Sequence, residues 1–260
     1  MSNWQNMATS IQSQLNTKFV GRQLYYYPSL TSTMDAAKKV AREEVAEGTV
    51  VIADEQTSGR GRLGRAWLSP KGSLAMSIIL KPSVSSLPQL VMIVSLAVVR
   101  AIREVAGLEA QIKWPNDVLI KGKKVCGILI ESEVKADTVS FAIIGIGINV
   151  NLSPSAFPEI SALATSLSHE LGKEVSKAEL AGALLCELER LYLEAQAGAP
   201  IHREWQAQME TLGRWIQVRA GESVERGKAE TVTEHGNLIL RRANGSIAEI
   251  IVGDVTVIKD

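Results

Sequence analysis

The stretch from Thr138 to Val150 constrains the fold more than any other, because it is mostly Ile, Val and Gly along its whole length. A strand that is apolar at odd and even positions alike has no side for water, so it belongs in the middle of a sheet covered on both faces. One cover is at hand in Leu87 to Val105, a helical segment apolar on most of its faces and ended by Gly107. Further strands read at Thr49 to Ala53, at Leu74 to Leu80 by alternation, at Gln111 to Trp114 and at Lys124 to Glu131. Trp114 to Asp117 and Lys121 to Lys123 read as tight turns.

Helices account for much of the remainder. Met7, Ile11 and Leu15 give residues Met1 to Lys18 an amphipathic spacing, and Ser32 or Thr33 caps a helix running to about Ala46, with Gly48 as its stop. Ser176 to Glu179 is a capping box opening a helix to about Ala197, and a shorter helix follows from Ile201 to Leu212. After Gly213 the texture changes. Short alternating segments (Trp215 to Arg219, Ala229 to Thr233, Leu238 to Arg241, Ile247 to Val252, Val255 to Ile258) are separated by glycines, which predicts a small β-barrel. The expected organisation is α+β, with domains at 1–212 and 213–260.

Lys plus Arg and Asp plus Glu are balanced at 28 each, so bulk charge points to no nucleic acid, membrane or polyanion, and any such partner must be met locally. The two cysteines, Cys126 and Cys186, have no metal-ligand or disulfide-framework spacing, which fits a reducing compartment. No signal peptide or membrane-length apolar run is read, so the expected setting is soluble and cytoplasmic.

Charge is concentrated in one place. Gly59-Arg60-Gly61-Arg62-Leu63-Gly64-Arg65 interleaves three glycines with three arginines, and no Asp or Glu occurs from Gln56 to Arg103. Such a loop lets backbone approach a ligand closely while its side chains offer only donors, so it suits an anion. Gly59, Gly61 and Gly64 match the dinucleotide fingerprint formally. That motif needs a helix directly after the glycines and an acid about 20 residues on, and both are missing. The P-loop reading fails as well, since Arg65-Ala66 stands where Lys and Ser or Thr are required. An exposed basic turn and a nucleic-acid patch using Trp67 remain as rivals. Gly145 and Gly147 recur at period two in an apolar strand, which admits another backbone or a ligand against that face. His169, His202 and His235 are scattered, and neither a nucleophile–base pair nor a zinc spacing stands out.

Taken in order, Gly59 to Trp67, Lys113-Trp114-Pro115-Asn116-Asp117, Lys124-Val125-Cys126-Gly127-Ile128-Leu129-Ile130-Glu131 and Gly147-Ile148-Asn149-Val150 resemble the motifs of biotin protein ligases. The resemblance covers Tyr25 to Asn151 by motif and the C-terminal barrel by architecture. It implies a mixed sheet backed by helices, like the catalytic domain of class II aminoacyl-tRNA synthetases, and an SH3-like C-terminal domain. It also implies the reaction: biotin and ATP give biotinyl-5'-adenylate and pyrophosphate, and a lysine of a biotin carboxyl carrier protein then takes the biotinyl group. Two anions must be brought together while charge accumulates on the α-phosphate, so positioning and preorganised positive charge carry the catalysis without a protein nucleophile.

Carried over by motif, Arg62 and Lys124 are the catalytic residues. Ser32, Thr33, Met34, Gln56, Arg60, Gly61 and Gly127 join them in binding biotin, although the family pattern has Asn where Met34 stands. Arg62, Arg65, Trp67, Lys113, Asn116 and Asn149 bind the nucleotide, with Trp67 stacking on adenine. Asp117 is the expected Mg²⁺ contact. The regulatory branch of the family adds an N-terminal helix-turn-helix, for which the residues before Tyr25 are too few, so no sequence-specific DNA binding is expected. Family members are monomers or dimers, and sheet-edge pairing leaves a homodimer open. A lipoate-type acyl-adenylate ligase is the nearest alternative, but its expected run of glycines and His-Asp pair are missing.

Overall fold

The computed structural model describes residues 3–43 and 45–258. Met1 and Ser2 of the expected first helix, Glu44 of the expected second helix, and the last two residues lie outside the described residues. The chain opens with α1 (Asn3–Gln14), β1 (Leu24–Tyr27), α2 (Thr33–Ala41), β2 (Val50–Ala53), β3 (Ser73–Leu80) and α3 (Leu90–Ala106). Four strands follow, β4 (Gln111–Lys113), β5 (Asp117–Ile120), β6 (Lys123–Lys135) and β7 (Thr138–Asn149), and then helices α4 (Leu167–Leu171), α5 (Lys177–Gln196) and α6 (Ile201–Ala207).

These strands form one sheet in the order β1-β2-β3-β7-β6-β5-β4, parallel only between β1 and β2. The apolar β7 lies at its centre, as its composition requires. On one face, α3 and α5 cover Ile52, Met76, Ile144 and Ile148; on the other, Met34, Ala37 and Ala41 of α2 cover Val51, Ile79 and Ile143. Because both faces are covered, all eight residues of β3 are buried, and the alternation in its sequence does not mark a wet side. The apolar length of α3 has the same cause. It is sandwiched between the sheet and α5, capped by Gly107 at φ 63°, and Ser95 on it accepts from the Trp205 indole at 2.8 Å.

Several boundaries differ from the sequence reading. α2 closes early, with the Arg42 and Glu43 amides bonded to Lys39 O and Val40 O. Gly48 is not its stop but a strand entry: its amide donates to Ile79 O, and a Cβ there would lie 2.6 Å from Phe19 O. α6 ends before Leu212 because the chain leaves it to pair with β4, Ile112 N donating to Gln208 O and Glu210 N to Ile112 O. The short elements β1, β5 and α4 were not foreseen. Asp117 does close a turn, and then continues as β5.

Beyond Gly213, five strands form an antiparallel sheet in the order β11-β10-β9-β8-β12, namely β8 (Trp215–Ala220), β9 (Ser223–Val232), β10 (Leu238–Arg241), β11 (Ile247–Ile250) and β12 (Asp254–Val257). This is the small β domain expected from the spacing of short strands and turns, in the SH3-like form that the resemblance implies. Its inner residues Ile216, Val218, Leu238 and Leu240 are buried in the same core as the first sheet. Trp114 ties the two together, donating from its indole to Gly236 O at 2.9 Å.

Candidate active site

Between β2 and β3 the chain makes the glycine–arginine excursion as a closed loop. Gln56 N donates to Ser69 O, Trp67 N to Gly59 O and Gly61 N to Arg65 O, at 2.7 to 2.9 Å. Gly59 is required by that closure, since a Cβ would lie 2.4 Å from Trp67 O. At the tip Leu63 and Gly64 both take left-handed backbone, φ 56° and 72°. The segment contains no acid, yet its arginines are not left to repel one another. Arg60 pairs with Asp35 at 2.5 Å, Arg65 pairs with Asp254, and Arg62 donates to Asn116 Oδ1 at 2.9 Å while standing 3.8 Å from Asp254. Charge neutralisation therefore comes from α2 and from the C-terminal sheet.

Under the loop lies a floor of paired glycines, Gly127 of β6 opposite Gly147 of β7. A Cβ at Gly147 would lie 2.4 Å from Trp67 Nε1, one at Gly127 2.9 Å from Trp67 Cζ3, and one at Gly145 2.6 Å from Met34 Sδ. The glycines thus keep the floor low by seating the Trp67 indole and the Met34 thioether. Lys124 rises beside them, with Nζ 5.2 Å from the Trp67 ring centroid and 2.6 Å from Asp117 Oδ1. Both a cation–π contact and an ion pair hold the ammonium there.

At the other end of the cavity, Thr33 donates from its amide and its hydroxyl to Gln56 Oε1 at 2.8 and 3.1 Å, and Ser77 Oγ donates to Thr33 at 2.9 Å. Ser32 precedes α2 without capping it, and its hydroxyl is buried with no hydrogen bond. The Trp67 Nε1 proton is likewise buried and unbonded, whereas Asp117 Oδ1 is held by the Lys124 ammonium. Buried polar atoms normally find partners, so two such atoms on one cavity mark a place for a polar ligand.

The cavity measures about 750 Å³ out to its open mouth and gathers Ser32, Thr33, Met34, Gln56, Arg60, Gly61, Arg62, Arg65, Trp67, Asn116, Asp117, Lys124 and Gly127. Its wall does not include Lys113 or Asn149. Lys113 ends β4 at the far edge of the sheet. Asn149 lies on the same side of β7 as Gly145 and Gly147, but it is buried and donates to Thr165 O at 3.0 Å, which makes it a structural amide. Sequence reasoning assigned no role to Ala66, Ile128, Leu129, Ile146 or Asp254, all of which line the cavity. The hydrophobic ones belong to motifs already singled out, whereas Asp254 arrives from another sheet with no local signal.

Donors dominate the mouth, and among the described residues no Cys or His lines it. Burial pushes the Cys126 thiol well above its ordinary range, so it stays protonated. Among the described residues no group of three or more His, Cys, Asp or Glu converges as a metal cage. The arrangement suits two anionic groups held side by side by Arg62 and Lys124, against an aromatic plane and a small polar pocket.

Residues 26–149 match the Biotin/lipoate A/B protein ligase family, and residues 211–257 match the Biotin protein ligase C terminal domain. The chain is 38% identical over 253 residues to the bifunctional ligase/repressor BirA of Bacillus subtilis, covering 95% of this chain and 78% of that one. It is 37% identical over 208 residues to the biotin–[acetyl-CoA-carboxylase] ligase of Paracoccus denitrificans, covering 75% of this chain and 85% of that one. Among solved structures, the biotin protein ligase from Aquifex aeolicus in complex with biotin and ATP superposes with a TM-score of 0.80 at 31% identity, covering 92% of this chain and 100% of that one.

Proposed function

This chain belongs to the biotin protein ligase family and makes biotinyl-5'-adenylate from biotin and ATP before transferring biotin to protein, and we propose how its residues divide that work. The observation that carries the assignment is the convergence of Arg62 from the loop and Lys124 from β6 on one cavity floored by Trp67. The relatives do not favour a lipoate ligase or a nucleic-acid module.

Biotin enters with the polar end of its bicyclic ring toward Ser32, Thr33 and Gln56. The unbonded Ser32 hydroxyl and the free Gln56 amide nitrogen can each meet a ring heteroatom. Met34 and Trp67 give the ring an apolar lining, and its carboxylate reaches Lys124. The nucleotide lies on the loop side, its base against the Trp67 indole and its phosphates against Arg62 and Arg65. A carboxylate oxygen attacks the α-phosphorus, the acyl–phosphate bond forms, and the bond to pyrophosphate breaks. Lys124 and Arg62 stabilise the charge that builds on the α-phosphate oxygens, and closure of the loop excludes water that would hydrolyse the mixed anhydride. A lysine amine then attacks the acyl carbon and AMP leaves with the electron pair.

Magnesium fits as an ion carried in on the nucleotide, neutralising phosphate charge. Asp117, on the cavity wall and paired with Lys124, is the residue we assign to contact it. The acceptor we propose is a biotin carboxyl carrier domain, met in the cytoplasm, and operator binding is no part of this reading. The test is biotin-dependent exchange of labelled pyrophosphate into ATP, followed by transfer to a carrier domain with ATP and Mg²⁺. Exchange driven by lipoate and not by biotin would refute the reading.

A further inference from the structure

Asp254 opens β12 in the C-terminal sheet, yet its carboxylate forms part of the cavity wall. Its side chain is 23% exposed and faces two loop arginines, Arg62 at 3.8 Å and Arg65 in closer contact. The adjacent Gly253 carbonyl accepts from both terminal nitrogens of Arg62 at 3.4 Å. Gly253 itself is pinned, because a Cβ there would stand 2.4 Å from Val218 Cγ1 of β8. A fixed acid therefore occupies the two cations assigned above to the anions of the substrates.

Resting on that assignment, we infer that Asp254 is the resident counter-anion of the closing loop and a specificity determinant for the nucleotide. It keeps Arg62 and Arg65 gathered over the cavity when no substrate is bound, where three arginines in one loop would otherwise repel. A triphosphate offers several charges to the same guanidiniums and displaces it, whereas a monoanion offers no more than the carboxylate already there. Asp254 sets nucleotide affinity below what the loop's charge alone would give.

The test is calorimetric titration of the biotin-saturated protein with an ATP analogue bridged by methylene between its α- and β-phosphates, which binds without reacting. Asp254→Asn is expected to bind the analogue about two- to fivefold more tightly than the native protein, the range of a partly exposed ion pair. Asp254→Glu, which keeps the charge, is expected to stay within about twofold of native. Unchanged or weaker binding by Asp254→Asn, or equal tightening by Asp254→Glu, would overturn the inference. Asp254→Ser repeats the comparison if Asp254→Asn fails to fold. A native protein that binds neither biotin nor the analogue would instead remove the site reading on which this rests.

Discussion

On the cavity floor a Cβ at Gly147 would stand 2.4 Å from the Trp67 indole nitrogen, whereas at Gly64 in the loop above an added Cβ meets no atom within 4 Å. Gly147 is ordinary extended strand paired on both sides, with Ala75 and Gly127, and Gly64 sits at φ 72°. One residue type therefore serves two purposes. The floor needs glycine for volume, because packing there is already complete, and the loop needs it for backbone conformation, because its tip is shaped by turn geometry and charge. Substitutions in the floor should act through displaced side chains, and those in the loop through strain or lost cations.

The largest effect should come from removing a charge on either side of the cavity. Lys124→Ala on the floor and Arg62→Ala in the loop are each expected to lower biotin-dependent pyrophosphate exchange by about 100-fold or more, the cost of one preorganised donor at a developing anion. Circular dichroism of the substrate-free proteins should remain native. Full exchange in both variants would mean that floor and loop do not share one reaction centre.

Next comes volume. Gly147→Ala drives a methyl into the Trp67 ring and should weaken biotin binding about tenfold, as overpacking of 1–3 kcal/mol implies. Gly145→Ala opposes only the flexible end of Met34, with Sδ at 2.6 Å, and should cost less. Equal losses at the two positions would contradict the seating of Trp67 on Gly147.

How far the sequence revealed these regions follows from the same contrast. The floor was legible because a doubly covered strand advertises itself by composition, and Gly145 and Gly147 stood out at period two. Their purpose was not legible, since the bodies they make room for, Trp67 and Met34, are distant in the chain. The arginine loop announced an anion site by local density alone. Its partner Asp254 was invisible, as it lies nearly two hundred residues on, at the start of an ordinary short strand. Lys113 and Asn149 were drawn in by neighbouring motif residues, but β4 ends at the sheet edge and the 163–165 segment covers Asn149. β1 and β5 escaped because each adjoins turn-forming residues, Pro28 after β1 and the Trp114–Asp117 and Lys121–Lys123 turns around β5, and was read with them.

A smaller effect is expected at the loop tip. Gly64→Ala adds no clash but forces alanine into left-handed backbone, at about 1 kcal/mol, a cost the empty protein bears as well as the liganded one. The melting temperature of the empty protein should fall by a few degrees, and adenylate binding should weaken by less than about twofold. A drop as large as that of Gly147→Ala would show that the tip, too, is packed.

The smallest effect lies behind the floor. Segment 163–165 runs beside Lys124, which donates to Leu163 O and accepts from Thr165 N, both at 2.9 Å. Glu170 braces that segment, accepting from Thr165 Oγ1 at 2.6 Å with Lys121 at 2.8 Å. The Lys121 hydrogen bond first, and that of Thr165 second, hold the Glu170 carboxyl below its usual range. A depressed folded pKa means stabilisation that is complete above the unfolded value of about 4.3 and lost as pH falls through the folded one. Glu170→Gln should therefore melt slightly lower than native near pH 7 and lose less on acidification well below about pH 4, so that the two melting curves converge there. Equal acid sensitivity in both proteins would remove Glu170 from the support of the floor, leaving the position of Lys124 to its contacts with Trp67 and Asp117.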